Sequence, residues 1–332
     1  MENIISVIVA TYNQEATIAR TLDSILAQKC SMPVEIVVGE DCSTDGTRAV
    51  CERYERLHPS VVRLMPAAPN KGMIRNYYDC MLHCRGKYIA ECAGDDFWTD
   101  PLKLQKQLDV MEKHPQVMLV HTNWQSYDEN THETIVNTFA PFPSPVTHGR
   151  DMLETVITQT VAPVVHTCTA MYRNEVMREC YDEEPSLYSD PENGCEDIQL
   201  VCALAARGDV AYLSDVTLSY SVGHDSVSRQ PDERRQFRFV ARTASLSMRL
   251  ARKYGIATAG TRRFFAEKAF CLIMHAFRCR DKELRSEALA LAARWGAGNG
   301  ARFRAVRLAT SCSPLWIAGL AVRRIFMRVK GN

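Results

Sequence analysis

The most constraining feature of this chain is an alternation across its first hundred residues. Short β-branched apolar runs of strand length are each followed by apolar residues at helical spacing. "IISVIVA" (Ile4 to Ala10) leads into Ile18, Leu22, Ile25 and Leu26, and "VEIVV" (Val34 to Val38) leads into Val50, Cys51, Tyr54 and Leu57. "VVRLM" (Val61 to Met65) precedes a helix expected from Met73 to Cys84, and "KYIAEC" (Lys87 to Cys92) reads as a fourth strand. Such alternation predicts an α/β fold with a mainly parallel sheet covered on both faces. Ligands of such sheets bind beyond the carboxyl ends of the strands. This chain places "ATYNQ", "GEDCSTDGT", "PNKGMIRN" and "AGDDFW" there, one cluster per strand.

Further on, Leu102, Leu108 and Met111 predict a helix, Val117 to Asn123 a strand, and Tyr127 to Pro145 a polar connection containing prolines. "HTCTAMY" (His166 to Tyr172) reads as a strand, Cys195 to Gly208 as a helix ended by its glycine, and Val216 to Val222 as another strand. From about Asp232 the pattern is helical throughout. Charge divides at the same place. Residues 1–233 carry 18 basic and 35 acidic side chains, while residues 234–332 carry 22 basic and 4 acidic ones. Two domains are therefore expected, an α/β domain over 1–231 and a basic helical region over 232–332.

The 13 cysteines are scattered, with no Cys-x-x-Cys pair. Cys80, His83 and Cys84 lie at helical spacing, but no second half of a zinc site follows, so core thiols in a reducing compartment are expected. The start "MENIISVIVATYN" has no basic flank and too short an apolar run for a secretory signal, which points to the cytoplasm.

In "YIAECAGDDFWTDP" an apolar run ends in two adjacent carboxylates, Asp95 and Asp96. Such neighbours repel unless they are solvated, hold a cation, or share a proton. A polar turn before a helix opened by Pro101 is one reading. A divalent metal is the other, since hard cations take carboxylate oxygens. The convergence of polar loops on one rim favours the metal.

The ordered pieces "SVIVATYNQEATIARTLDSILAQ", "VEIVVGEDCSTDGT", "NKG", "IRN", "GKYIAECAGDDFWTDPLKLQKQ", "CEDIQL" and "YSVGHDSVSR" resemble the family 2 glycosyltransferases of GT-A fold. These are inverting enzymes that use nucleotide sugars, and the resemblance covers roughly residues 4 to 229. It implies that Thr11, Tyr12 and Asn13 lie along the nucleoside and that Asp41 accepts a hydrogen bond from a uracil or thymine imide, a donor suited to an acceptor-only carboxylate. Arg75 matches an arginine near the nucleotide; from the residue alone an ion pair serves equally well. By the same resemblance Asp95 is the leading metal ligand and nucleotide contact, with Asp96 beside it and His224 a further ligand, for Mn2+ or Mg2+. Arg229 is a further diphosphate candidate. The sequence departs from the family pattern at Ala93, where an acidic residue is usual, and at Ser221, where arginine is common.

Inversion needs a base to take the acceptor hydroxyl's proton. By resemblance the "CEDIQL" segment supplies it, with Asp197 as base and Glu196 as its support; acidic residues also simply stabilise a helix N-terminus. The expected partners are a nucleotide-sugar donor, UDP- or dTDP-linked, and a saccharide or lipid-linked acceptor of surface polysaccharide or glycan synthesis, with no nucleic acid. The segment Arg302 to Lys330 has seven basic and no acidic residues among apolar ones, and its apolar run is too short to span a bilayer. It suits an anionic membrane surface or a packed helix with a solvated basic face. Two rivals remain. A nucleotidyltransferase should show a glycine- and basic-rich loop after the first strand, which "ATYNQEAT" lacks; a degenerate nucleotide-sugar-binding protein at the membrane surface would explain Ala93. A dinucleotide enzyme lacks its glycine fingerprint altogether.

Overall fold

The computed structural model describes residues 1–159, 164–223, 232–298, 300–311 and 314. The chain divides into two compact units, Met1–His224 and Asp225–Asn332.

The first unit opens with the expected alternation: β1 (Glu2–Thr11), α1 (Ile18–Leu26), β2 (Val34–Glu40), α2 (Thr47–Leu57), β3 (Val62–Leu64), α3 (Met73–His83) and β4 (Gly86–Glu91). β1 pairs in parallel with both β2 and β4, and β2 with β3. Ile5, Val7 and Val9 are fully buried in one cluster with Ile18, Leu22 and Ile25 of α1, while Ile8 between them is buried as well. Burial on both faces explains why these strands read as continuous apolar runs rather than alternating ones. Gly39 lets α3 lie close on β2, because a Cβ there would stand 2.3 Å from the Cys80 sulfur. The Asn76 side chain instead donates to the Gly39 carbonyl at 2.7 Å.

Beyond β4 come β5 (Phe97–Trp98), α4 (Lys103–Lys113), β6 (Val117–Asp128), β7 (Thr134–Val136), β8 (Val146–His148), α5 (Gly149–Thr158), β9 (Met171–Arg173), α6 (Asn174–Glu183), α7 (Pro185–Tyr188), α8 (Asp197–Arg207) and β10 (Asp209–Val222). The sheet order is β3-β2-β1-β4-β9-β6-β10-β5, with β7 on β6 and β8 on β10. β9 runs antiparallel to both β4 and β6, so the sheet is mixed here.

Several expectations change in this half. The strand expected over His166 to Tyr172 is mostly a 3-10 turn, Thr167–Thr169, followed by the short β9. The Thr169 hydroxyl donates to the His166 carbonyl at 2.7 Å, a local bond that competes with sheet pairing. The polar connection over Tyr127 to Pro145 carries β7, which pairs with a β6 longer than expected. Helices α5, α6 and α7 had no sequence expectation, and Val216 to Val222 is only the second half of β10, whose ladder shifts register around Val216.

The second unit consists of α9 (Glu233–Tyr254), α10 (Ala259–Arg278), α11 (Lys282–Arg294) and α12 (Ala301–Ser311). Asp232 caps α9 through the amides of Arg234 and Arg235, Asp281 caps α11, and Thr258 and Thr261 form a capping box on α10. Buried Phe237, Leu250, Leu272 and Ile273 make its interior. The membrane-surface expectation rests mainly on residues 315–332, which lie outside the described residues. Among the described residues no helix is long and apolar enough to cross a membrane.

Candidate active site at the carboxyl rim of the sheet

The loops after β1 and β2 are laced together. The Asn13 amide donates to the Ser43 hydroxyl at 2.9 Å, the Thr44 amide donates to Asn13 Oδ1 at 2.8 Å, and the Gln14 amide donates to the Thr47 hydroxyl at 2.7 Å. Asn13 and Cys42 both adopt positive φ, so each loop turns sharply at a residue other than glycine. Of the three residues expected along the nucleoside, Thr11 is buried and donates to Gln14 Oε1, Asn13 uses its side-chain oxygen on Thr44, and Tyr12 is exposed.

Asp41 is buried at the end of β2. Its two carboxylate oxygens accept the Lys71 amide at 2.7 Å and the Gly72 amide at 2.8 Å, while its carbonyl accepts the Asn70 side chain at 2.7 Å. The carboxylate thereby ties the loop after β3 to the end of β2, and it retains further lone pairs for a ligand donor. Arg75, in the first turn of α3, is exposed.

The two aspartates after β4 sit in different environments. Asp95 is half-buried, and its carbonyl accepts the Ser221 hydroxyl at 2.6 Å and Arg20 Nη2 at 3.1 Å. Asp96 is buried; its Oδ1 accepts the Ser221 amide at 3.0 Å, and Oδ2 has no hydrogen-bond partner. Burial and the neighbouring Asp95 push the Asp96 carboxyl well above the usual carboxylate range. The repulsion anticipated from the sequence is thus relieved by holding a proton on Asp96. Gly94 admits no side chain, since a Cβ would lie 2.4 Å from Gln14 Oε1 and 2.6 Å from the Thr11 hydroxyl, which seats Asp95 against the β1 loop.

Arg20, on α1, had no expectation attached to it. Its guanidinium pairs with Glu129 at 2.5 Å, donates to the Ser221 hydroxyl at 3.2 Å and lies 4.2 Å from the Phe97 ring centroid. An arginine therefore reaches Ser221 from another element; nothing in the local sequence of α1 signals that.

Asp197 opens α8, where its Oδ1 accepts the Ile198 amide at 2.7 Å, and Glu196 precedes it as N-cap, with its carbonyl accepting the Tyr78 hydroxyl at 2.8 Å. Burial, Asp197 and Glu91 together raise the proton affinity of Glu196. Glu91, the last residue of β4, is a third carboxyl in this group; burial pushes it up to about 7 despite the Thr167 and Tyr77 hydroxyls that favour its ionised form. Lys103 of α4 is fully buried, 4.2 Å from the Trp98 ring centroid, donates to Gln107 at 2.8 Å and is pushed down to about 7 by burial. The signal for Glu91 was present in the sequence as a charge within the apolar run Tyr88 to Cys92, whereas Lys103, among Asp100, Gln105, Lys106 and Gln107, carried none.

Asp95 offers hard oxygen donors at the rim; Asp96 Oδ2 has no hydrogen-bond partner but is buried and belongs to a protonated carboxyl, so it can coordinate only once that proton is lost. Among the described residues no group of three or more His, Cys, Asp or Glu side chains forms a metal site on its own. A cation held by one or two carboxylates together with phosphate oxygens fits that donor set. His224 and Arg229 lie outside the described residues. Cys80 and Cys84 are buried free thiols and His83 is exposed, so the three do not form a zinc site.

A sequence profile described as Glycosyl transferase family 2 matches residues 6–181, a segment that contains Asp41, Asp95 and Asp96 and stops short of Asp197. An uncharacterized protein of Mycobacterium tuberculosis is 40% identical over 111 residues, 33% of this chain and 32% of that protein. The putative glycosyltransferase EpsE of Bacillus subtilis is 34% identical over 125 residues, 38% of this chain and 44% of EpsE. The chain thus spans less than half the length of these curated relatives. Among solved structures, S. aureus TarS in complex with UDP-GlcNAc superposes with a TM-score of 0.56 at 15% identity, covering 88% of this chain and 92% of that one.

Proposed function

The chain belongs to glycosyl transferase family 2, and from that premise we propose that it moves a sugar from a UDP- or dTDP-linked donor to a hydroxyl of a saccharide or lipid-linked acceptor, with inversion, in the synthesis of a polysaccharide. The α/β unit has the GT-A fold. The observation that carries the reading is that Asp41 and Asp95 follow the two strands that flank β1, at one carboxyl rim, where the loop after β1 is bonded both to the loop after β2 and to Gly94 in the loop after β4.

In this reading Tyr12 and the Asp41 loop hold the base and ribose, and Arg75 answers the phosphates. Asp95 would hold Mn2+ or Mg2+, with Asp96 beside it joining as a ligand only by giving up its proton and His224 as a further ligand; the cation would offset charge on the leaving diphosphate. Asp197 takes the proton of the attacking hydroxyl while Glu196, holding its own proton near neutrality, limits repulsion beside it. The catalytic domain is assigned to 1–231, and the basic helical region, 232–332, to the inner face of a membrane.

A panel of UDP-, dTDP-, GDP- and CMP-sugars with and without Mn2+ tests the reading, because a ligand that prefers the folded state raises apparent stability. Stabilisation by a uridine or thymidine diphosphate sugar followed by its turnover supports it. Preference for guanosine diphosphate removes the donor assignment, and binding with no turnover across acceptors leaves a degenerate binding protein.

A further inference from the structure

Helix α1 carries two stripes. Ile18, Leu22 and Ile25 enter the core, while Thr17, Arg20, Thr21, Ser24 and Gln28 recur at helical spacing along a second face. That second stripe grips the backbone of the loop after β4. The Thr17 hydroxyl donates to the Gly94 carbonyl at 2.9 Å, Arg20 Nη2 to the Asp95 carbonyl at 3.1 Å, and the Thr21 hydroxyl to the Asp96 carbonyl at 2.6 Å. Past the aspartates, the Ser24 hydroxyl accepts the Trp98 amide at 3.0 Å, and the Gln28 side chain donates to the Asp100 carbonyl at 2.8 Å and accepts the Leu104 amide at 3.1 Å. Three successive carbonyls held from one helix leave the peptides between them little freedom to rotate, so the direction of the Asp95 side chain is set from α1.

Arg20 holds more than its neighbours do. The same Nη2 meets the Ser221 hydroxyl of β10 at 3.2 Å and pairs with Glu129, after β6, at 2.5 Å. Ser221 in turn donates to the Asp95 carbonyl at 2.6 Å. The guanidinium lies 4.2 Å from the Phe97 ring centroid and 5.2 Å from that of Tyr127. One side chain thus joins α1, the loop after β4 and the ends of β6 and β10. An ion pair alone needs no bond to Asp95 or Ser221, whereas a planar guanidinium can serve several acceptors at once.

We infer that Arg20 is a positioning residue for Asp95, fixing the main chain of the loop after β4 so that the Asp95 carboxylate meets a divalent cation at the rim. The inference rests on the reading of Asp95 as a metal ligand. Its sign runs against the charge of Arg20. A guanidinium beside a cation site repels the cation, so through charge alone the loss of Arg20 would tighten metal binding; loss of positioning weakens it.

Three variants of the full chain test this. Arg20→Met keeps an apolar stem against Phe97 and loses every donor, Arg20→Lys keeps the charge without the fork, and Gln28→Ala removes two bonds of the same stripe away from the aspartates. Electron paramagnetic resonance should show the Mn2+ dissociation constant, with and without UDP, raised about tenfold or more in Arg20→Met, about threefold in Arg20→Lys, and unchanged in Gln28→Ala. The Asp96 amide donates to the Ala93 carbonyl at 3.0 Å, and its hydrogen exchange should quicken about tenfold in Arg20→Met and keep the parent rate in Gln28→Ala. Mn2+ binding that is unchanged or tighter in Arg20→Met overturns the inference, as does a loss matched by Gln28→Ala. A loss seen only with UDP also overturns it, since Arg20 would then act on the phosphates. A parent chain that binds no Mn2+ under either condition removes the metal reading instead; the exchange rates then decide whether Arg20 fixes the loop, with a parental rate in Arg20→Met counting against it.

Discussion

The carboxylate of Asp41 accepts the Gly72 amide at 2.8 Å, with its second oxygen on the Lys71 amide, so one side chain closes the loop after β3 onto the end of β2. Asp41→Asn replaces one acceptor oxygen with a donor, and one of the two amides then faces an N–H group. Nucleotide affinity should fall, and so should stability, by about 1–3 kcal/mol, the usual cost of an unsatisfied buried group. Calorimetry with UDP and dTDP beside urea unfolding separates the two losses. Unchanged stability with weakened binding would assign Asp41 to the ligand alone; unchanged affinity would remove it from the nucleotide site.

The first half of this molecule was legible because each parallel strand is buried on both faces and each helix on one, so period and composition agree from Ile4 to Cys92. The second half was less so. β9 is only three residues long and sits between β4 and β6 by tertiary pairing, and the Thr167–Thr169 turn replaces most of an expected strand because threonine hydroxyls offer the backbone local partners. Rim residues could be found from motif order, but the charge state of Asp96 and the approach of Arg20 to Ser221 depend on burial and on chain segments some 125 and 201 residues apart. Those relationships are not local, and no sequence period encodes them.

Asp95 bonds to Ser221 and Arg20 through its backbone carbonyl, so Asp95→Ala leaves both of those bonds available. The variant should fold and yet bind Mn2+ more weakly in the presence of a nucleoside diphosphate, as read by electron paramagnetic resonance. Metal-supported turnover should fall by about tenfold or more, which corresponds to about 1.4 kcal/mol at the transition state. Parent-level Mn2+ binding by this variant would remove Asp95 from the metal site.

The raised proton affinity of Glu91 also predicts a pH dependence of stability. Its folded value, about 7, stands above the ordinary 4.5, so the stabilising contribution is complete below the unfolded value and is lost as pH rises through the folded one. Glu91 alone should make the protein about 3 kcal/mol less stable at pH 8 than at pH 4.5, by the relation of about 1.4 kcal/mol per unit. Lys103 remains protonated in both folded and unfolded chains below about 7, so it adds no slope in the acidic part of that window. Urea midpoints of the parent chain should therefore fall relative to those of Glu91→Gln as pH rises from 5 to 8; parallel curves would contradict the assignment.

The division of charge predicts how the last residues behave. Residues 315–332 carry four basic and no acidic side chains. Removing them, with α12 left intact, should reduce sedimentation with vesicles rich in phosphatidylserine at low salt. Attraction at such a surface is screened within about 8 Å at physiological ionic strength, so salt should diminish the difference. Equal sedimentation of the full and shortened chains would leave the basic segment without a membrane role.

Asp197 separates an enzyme from a binding protein most sharply. It is the first residue of α8, with Oδ1 on the Ile198 amide, so an asparagine oxygen can keep that bond and the helix should start unchanged. Asp197→Asn retains size and shape but has no carboxylate to take a proton, and loss of a general base typically costs about a hundred- to ten-thousand-fold in rate. Donor affinity should barely change, because in the proposed arrangement the base faces the acceptor while Asp41 and Asp95 hold the donor. Measuring donor affinity and transfer rate on the same folded variant makes the comparison internal: a rate loss at constant affinity marks a group that acts only in the transition state. Near-normal transfer would move the base to Glu196. A parallel loss of affinity would instead make Asp197 part of the donor site, and the division of the rim between donor and acceptor would have to be redrawn.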